Sequence, residues 1–363
     1  MSTLKNILSC LIISFIFLVS SCSEDEVVPK ILPGETGFFI VNEGAFGNGN
    51  ASLSYFNKST NSITNDIFLS NTGKPLGDQA QSMTIFNEKG YIVVQNSAKI
   101  EVIDLTDISS ITTIGSTDGI ASPRYFLGID NTKGYVSDWG SDGVTGTIKV
   151  LDLATNTITK TIEIGQGTNK MLLSNGKVYV TNSGGWGQDN TVKVIDTNTD
   201  EVIKTITTGD NPKDIVASEN GDIWVLGSGA TSYNTDWSVN LELSTPGFIS
   251  KIENDEVTAT FEVGDKSFSP NSLIIDNSGS SLFFNYKGVV YELKTANINS
   301  SNVTATEFIS KSFYGLAFDP SDENILGSES PNFTSSGSIY RYNLSGQLID
   351  QYSVGIGPNG FTL

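Results

Sequence analysis

The chemistry open to this chain is bounded first by a missing residue type, because its 363 residues include no histidine. Without an imidazole there is no Ser-His-Asp triad, no histidine general base and no histidine-ligated zinc or iron. The two cysteines, Cys10 and Cys22, both lie near the N-terminus. Carboxylates dominate instead, with 40 Asp and Glu against 21 Lys and Arg and a net charge of -19. Nucleic acid is therefore a poor partner for such a surface.

Most of these carboxylates recur at the ends of predicted strands, where an aspartate accepts hydrogen bonds from turn amides. This pattern predicts a structural role for Asp104, Asp130, Asp152, Asp196 and Asp276. A calcium ion could recruit Asp138, Asp189 or Asn190, but no segment has the regular oxygen spacing of a calcium loop. We therefore predict no catalytic residue, no metal and no cofactor, and leave a structural calcium open.

Aromatic and amide side chains in predicted loops are the better candidates for a site. Rigid aromatic rings with polar edges suit ligand recognition, and amides bind other amides and hydroxyls. The alternative is that each ring only packs its own loop against the body of the protein. The predicted ligand-binding residues are Phe46, Asn48, Trp139, Trp186, Gln188, Asn190, Tyr233, Trp237 and Phe333.

These loops depend on a repeated strand pattern, in which alternating apolar and polar residues favour strands over helices. One strand motif recurs seven times, a second strand follows each copy, and third and fourth strands complete a cycle of mostly 42 to 45 residues. That spacing is typical of a four-stranded propeller blade. The sequence thus predicts an all-β, seven-bladed β-propeller over residues 37–363. The first strands are 38–42, 91–95, 135–137, 178–182, 223–226, 282–285 and 325–327.

Loop length differs between the two ends of the predicted ring. The connection between the first and second strands is long in five blades and short at 96–99 and 286–289. In antiparallel blades these loops emerge on the same face as the loops that lead into the innermost strands. We expect function to concentrate there. The 227–247 loop is long enough to be a lid or a docking arm.

The two chain ends are predicted to share one blade. The mature chain would start on the second strand of a blade, and Gly360 to Leu363 repeats the innermost strand. Their pairing would close the ring and protect two sheet edges.

The fourth repeat carries a recognisable signature in Tyr179-Val180-Thr181-Asn182, followed by Val192 to Asp196 and Gly209 to Pro212. The whole mature chain resembles the YncE-like, YVTN-repeat propellers. This resemblance implies the scaffold, and fold alone does not fix function.

The N-terminus is predicted to be a lipoprotein signal peptide, residues 1–21. Lys5 precedes an apolar run of about 13 residues, too short to span a membrane, and Val19-Ser20-Ser21-Cys22 resembles a bacterial lipobox. The resemblance implies a lipid anchor on Cys22. The acidic run after it looks like the surface-export signal of Bacteroidetes lipoproteins, with residues 22–36 as a tether. We expect an outer-membrane lipoprotein exposed on the cell surface.

Residues 42–55 are similar to the first blade of propeller lipoproteins from Bacteroidetes nutrient-uptake loci, notably the BtuG family that captures vitamin B12. The resemblance implies a non-enzymatic protein that holds a corrinoid, or a similar nutrient, for a TonB-dependent transporter. Two alternatives remain open. One is a surface module that binds a protein or a glycan, and the other is a propeller lactonase or lyase.

Overall fold

The structure is a computed structural model that describes residues 36–298 and 304–363. In this part of the chain, seven four-stranded antiparallel sheets form a ring. The prediction of an all-β, seven-bladed propeller is confirmed. The signal peptide and Cys22, with most of the tether, lie outside the described residues.

The strands follow one another blade by blade, and each blade runs from an innermost strand at the axis to an outermost edge. Blade 1 contains β1 Gly37–Asn42, β2 Ser52–Asn57 and β3 Ser62–Thr64. Blade 2 contains β4 Ala80–Phe86, β5 Lys89–Val94, β6 Lys99–Asp104 and β7 Thr112–Thr117. Blade 3 contains β8 Pro123–Gly128, β9 Lys133–Asp138, β10 Thr145–Asp152 and β11 Thr157–Gln166. Blade 4 contains β12 Thr168–Ser174, β13 Lys177–Asn182, β14 Thr191–Asp196 and β15 Glu201–Thr207.

The remaining blades continue the same order. Blade 5 contains β16 Pro212–Ala217, β17 Ile223–Gly227, β18 Gly247–Glu253 and β19 Glu256–Val263. Blade 6 contains β20 Asn271–Ile275, β21 Ser281–Tyr286, β22 Val289–Lys294 and β23 Thr306–Ile309. Blade 7 contains β24 Leu316–Asp319, β25 Asn324–Glu329, β26 Ser336–Tyr342 and β27 Leu348–Ile356. The last strand, β28 Pro358–Thr362, returns to blade 1.

Burial along the strands explains why this sequence forms them. The second strand of each blade is covered on both faces by neighbouring blades, so its residues are buried almost without exception. The outermost strands instead alternate, as in β19. That alternation is what a strand with one covered face requires.

The core consists of layers between adjacent blades. Tyr91 on β5 stacks on Phe126 on β8 with ring centroids 3.9 Å apart. Trp224, expected in a strand, lies on β17 and packs in the layer between blades 5 and 6. Each blade therefore needs both of its neighbours to bury its apolar faces.

Ring closure follows the predicted scheme, since β28 pairs antiparallel with β1. Hydrogen bonds then tie blade 1 to both neighbours. Ser328 Oγ of blade 7 donates to Pro358 O at 2.6 Å, and Thr362 Oγ1 donates to Met83 O of blade 2 at 2.9 Å.

A short helix, α1 Ile67–Thr72, connects blades 1 and 2 and was not predicted. Ile67 and Phe68 are buried, and they join the apolar layer between these blades. With only six residues, this helix depends on that packing for its stability. Two short 3-10 turns occupy Ile108–Ser110 and Thr295–Asn297.

Candidate functional site

A funnel-shaped cavity of about 1060 Å³ opens at one end of the propeller axis. The innermost strands begin at this end, and the connections between first and second strands emerge beside them. All seven blades contribute to its wall. Its volume and its mixed lining of aromatic, amide and charged side chains make the funnel the candidate binding site.

A recurring β-bulge supplies the funnel wall. Near the start of the innermost strands, extra residues interrupt the register with the second strand. In blade 7, Tyr314 and Gly315 both hydrogen-bond Ser328. A bulge redirects side chains that regular pleating would place elsewhere. The bulge residues, all of which line the funnel, are Gln81, Arg124, Tyr125, Asn169, Lys170, Lys213, Ser272, Tyr314, Gly315 and Asn359.

Two tryptophans form an aromatic wall over blades 3 and 4. The rings of Trp139 and Trp186 meet edge to face with centroids 6.5 Å apart. Trp186 is 82% exposed although it lines the funnel. The Trp186 backbone N–H donates to Gly143 O at 3.0 Å. A large, exposed and positioned indole surface of this kind suits stacking on a flat ligand.

Three cationic side chains, Arg124, Lys170 and Lys213, line the same side of the funnel. Arg124 lies 4.1 Å from the centre of the Trp139 ring, and its Nη1 donates to Gln95 Oε1 at 2.6 Å. Lys170 forms an ion pair with Asp214. Burial alone would lower the pKa of Lys170, but this ion pair holds it raised.

Lys213 is the third cation of this side. Burial lowers its pKa, and the neighbouring charges of Lys170 and Arg124 lower it further against the opposing effect of Asp214. Burial also lowers the pKa of Arg124. The funnel thus keeps positive charges close together in a strongly acidic protein.

The opposite side of the funnel carries one carboxylate, Glu43, from the loop after β1. Tyr314 Oη donates to Glu43 Oε1 and Oε2 at 2.9 and 3.0 Å, and Asn359 Nδ2 donates to Oε2 at 3.2 Å. Burial raises the pKa of Glu43 in spite of these bonds, and burial beside Glu43 raises that of Tyr314. Both partners of Glu43 are uncharged.

Several buried polar atoms on the funnel wall have no hydrogen-bond partner among the described residues. They are Arg124 Nε, Trp139 Nε1, Asn169 Oδ1 and Asn359 Oδ1. Such groups are costly when they are left unpaired. A bound ligand could satisfy them, as could water.

The sequence-predicted residues separate into two groups. Phe46, Trp139 and Trp186 lie on the funnel wall. Phe333 lies one step away, because its ring contacts Tyr314 edge to face at 5.1 Å. The others lie outside the wall. They are Asn48, Gln188, Asn190, Tyr233 and Trp237.

Residues 228–246 form an exposed arm that Tyr233 and Val239 join by an isolated antiparallel bridge. Thr245 Oγ1 anchors its base by donating to Asp210 Oδ2 at 2.8 Å. Trp237 and Leu243 on this arm are 83% and 69% exposed. The arm presents an apolar surface to solvent beside the funnel.

The carboxylates considered for calcium hold the backbone. Asp138 Oδ1 accepts a hydrogen bond from Ser122 N at 2.7 Å, and Asp189 Oδ1 accepts one from Thr191 N at 2.9 Å. Within residues 36–298 and 304–363, no group of three or more acidic or cysteine side chains could hold a metal ion. The strand-end aspartates also accept turn amides, as expected.

The main residues that sequence reasoning missed are the three cations. Each follows closely on the start of an innermost strand, in Pro123-Arg124, Asn169-Lys170 and Pro212-Lys213. The available signal was a basic residue one or two positions after the start of the innermost strand in three consecutive blades. In the described part of the chain, no helix is long and apolar enough to span a membrane.

The solved structures that this chain resembles share its fold at low identity. A functionally unknown protein from Desulfotomaculum acetoxidans DSM 771 gives a TM-score of 0.64 at 14% identity, covering 90% of this chain and 97% of that one. A provisionally assigned 6-phosphogluconolactonase from Bacteroides uniformis ATCC 8492 gives 0.64 at 12%, covering 90% and 99%. A quinonprotein alcohol dehydrogenase-like protein from Bacteroides thetaiotaomicron VPI-5482 gives 0.61 at 16%, covering 89% and 77%.

No curated protein matches the chain. One family model does, a domain of unknown function named DUF5074, and it matches residues 36–356. This match spans nearly the whole propeller, from the start of blade 1 to the end of blade 7. The chain therefore belongs to the DUF5074 family.

Proposed function

We propose that this protein binds a large, partly apolar ligand that carries amide groups, and that it holds the ligand without converting it. The funnel supports this proposal, because its wall combines two tryptophans with several amide side chains. The amides are Gln79, Gln81, Gln95, Asn96, Asn169, Asn271 and Asn359. A mixed wall of this kind fits one bulky ligand better than a small substrate.

A corrinoid is the ligand that we propose. Its macrocycle is broad, its edge carries amide side chains, and cobalamins add a phosphodiester. The tryptophans would stack on the apolar parts and the amides would pair with the ligand's amides. The resemblance of residues 42–55 to corrinoid-capturing propellers supports the same choice.

We further propose that the protein acts on the cell surface, anchored through Cys22, and passes its ligand to a TonB-dependent transporter. The exposed apolar arm at 228–246 is the proposed contact with that transporter. Exposed apolar patches on a protein surface often mark sites of contact with a protein partner. A glycan or protein ligand at the funnel remains the alternative.

Isothermal titration calorimetry of the purified protein with cyanocobalamin and cobinamide tests the ligand. We expect a Kd of about 1 μM or tighter, equivalent to roughly 8 kcal/mol or more. Binding of neither corrinoid at micromolar concentration would contradict the proposal.

A pair of tryptophan variants tests the location. Trp186 and Trp237 are almost equally exposed, at 82% and 83%, but only Trp186 lines the funnel. Trp186→Ala should weaken binding by about tenfold or more, as loss of an aromatic anchor does. Trp237→Ala should leave the Kd unchanged. Equal effects of the two substitutions would place the ligand elsewhere.

A further inference from the structure

The cationic side of the funnel needs an explanation that a neutral ligand does not provide. The chain has only 21 basic residues and a net charge of -19, yet three cations line this cavity. They come from the bulges of β8, β12 and β16, which belong to consecutive blades. Each of these bulges carries one cation, so the three charges line adjacent parts of the funnel wall on blades 3, 4 and 5.

Only one of these cations is neutralised by a carboxylate. Lys170 pairs with Asp214, which is itself only 4% exposed. Arg124 contacts the uncharged groups of Gln95 and Trp139, and its Nε has no partner. Among the residues that the structure describes, nothing forms a hydrogen bond or an ion pair with Lys213 Nζ. Among the described residues, Arg124 and Lys213 therefore line the cavity without an ion pair, and the carboxylates of Glu43 and Asp214 act on them only at longer range.

This arrangement is unfavourable in the empty protein. Loss of hydration disfavours the charged form of Lys213 most, and Lys170 and Arg124 repel that charge, whereas Asp214 attracts it. The balance still lowers the pKa of Lys213. An oxyanion in the cavity would supply the missing counter-charge and accept charge-assisted hydrogen bonds, the strong class of such bonds.

Glu43 does not fill this role. Its carboxylate is already held by Tyr314 and Asn359 on the wall formed by blades 7 and 1. The cations lie on blades 3 to 5, across the funnel from that wall. Charge is therefore distributed unevenly in the funnel, with three cations on the wall of blades 3 to 5 and Glu43 on the wall of blades 7 and 1.

We propose that Arg124, Lys170 and Lys213 form a subsite for an oxyanion, a phosphate or carboxylate group carried by the funnel's ligand. The inference rests on the proposed function only in placing the ligand in the funnel. Lys213 supplies an unpaired charge, Arg124 supplies a free N–H, and Lys170 with Asp214 fixes the edge of the subsite.

Inorganic phosphate and citrate are the first probes, titrated at constant ionic strength and followed by tryptophan fluorescence, since Trp139 stacks on Arg124. Lys213→Met should weaken binding of both probes by about tenfold or more, the loss expected for a charged hydrogen bond. Lys74→Met, which removes an exposed lysine outside the funnel, should change nothing. Lys213→Gln repeats the test with a polar side chain, and circular dichroism checks that each variant is folded.

The empty protein offers a second readout that a merely structural lysine would not give. Lys213→Met removes a repelled charge, so its melting temperature without anion should equal or exceed that of the wild type. A marked loss of stability would instead assign Lys213 to the scaffold and overturn the subsite. Failure of both probes to bind the wild-type protein, or equal binding by Lys213→Met, would overturn it as well.

Corrinoids separate this inference from the proposed function. Cyanocobalamin contains a phosphodiester and cobinamide lacks it, so Lys213→Met should weaken the first more than the second. If neither corrinoid binds but phosphate binds through Lys213, the subsite stands and the corrinoid proposal fails. If both corrinoids bind the wild type and Lys213→Met equally and phosphate does not bind, the reverse holds.

Discussion

At the scale of single residues, Gly143 decides where Trp186 can lie. Its φ is +69°, and a Cβ added there would lie 1.8 Å from Trp186 Cδ1. Gly143→Ala should therefore displace the indole and weaken ligand binding, measured by titration calorimetry. Gly221→Ala is the matched control, because Gly221 has φ +90° with nothing within 4 Å of its added Cβ. Both variants should lose about 1 kcal/mol of stability from backbone strain. Equal binding by both would show that the position of Trp186 is unimportant.

The lowered pKa of Lys213 leads to a prediction about how anion binding and stability depend on pH. Its pKa is lowered by burial and by Lys170 and Arg124, against the opposing charge of Asp214. Raising the pH should discharge Lys213 before ordinary lysines, so anion affinity should already fall at pH values below 10.5, the usual pKa of lysine. Over that window the unfolded chain binds more protons at this site, so folding stability should rise with pH. Titrations and thermal melts of wild type and Lys213→Met should show these opposite slopes only in the wild type.

At the scale of elements, a lysine and a tyrosine at the start of a second strand clamp a turn of the next blade. On β9, Lys133 and Tyr135 bind Asp200. On β13, Lys177 and Tyr179 bind Asp255, each at 2.5 Å. Both clamps join the turn before the outermost strand, at the end of the ring opposite the funnel. The first clamp joins blade 3 to blade 4, and the second joins blade 4 to blade 5.

Removing the second clamp should weaken the ring and spare the site. Asp255 has φ +61°, which asparagine tolerates, so Asp255→Asn changes mainly the charge. We expect urea unfolding to lose about 1–2 kcal/mol, discounted for partial exposure, with no change in ligand affinity. Burial alone would raise the pKa of Asp255, but its bonds to Lys177 and Tyr179 lower it. This stability should therefore vanish as the pH falls through that lowered pKa, below 3.8. Asp236→Asn, at an exposed turn, is the control.

The elements also show how far sequence reasoning reaches. The buried second strands were predictable, because segments such as Val178 to Thr181 repeat with the spacing of a blade. The bulges were not, since a bulge exists only in the register between two paired strands. The sequence therefore led to the large loop aromatics. Sequence reasoning missed Lys213. A bulge sets the direction of its side chain, and its lack of an ion pair depends on side chains from three blades.

At the scale of the molecule, stability and site share one construction. The innermost strands carry the bulges, and hydrogen bonds between neighbouring blades hold those strands at fixed spacing. Asn169 Nδ2 donates to Lys213 O at 2.8 Å, and Ser82 Oγ donates to Arg124 O at 2.8 Å. Funnel residues thus bind the backbone of the next blade's funnel residues. A change that separates the innermost strands should therefore change the site, whereas loss of a contact at the opposite face should lower stability without changing the site.

The C-terminal strand gives this coupling its sharpest test. Deleting residues 358–363 removes β28, exposes β1 as an edge, and takes Asn359 and Phe361 from the funnel wall. We expect loss of cooperative unfolding, monitored by calorimetry, together with loss of ligand binding. A truncated chain that melts like the wild type would contradict the proposed role of β28 in closing the ring.

A circular permutant separates two roles of β28, which are to complete the sheet of blade 1 and to link that sheet covalently to blade 7. Thr362 pairs with Phe39, so the end of β28 lies beside the start of β1, and a short linker could join them. A chain that begins at Pro358 and ends after β27 keeps every strand but closes the ring without a covalent crossing. Because its funnel wall is complete, it should bind ligand with wild-type affinity. Its melting temperature should fall, because separation of blades 7 and 1 would no longer require β28 to leave its sheet. Equal stability would mean that β28 matters only as the fourth strand of its blade.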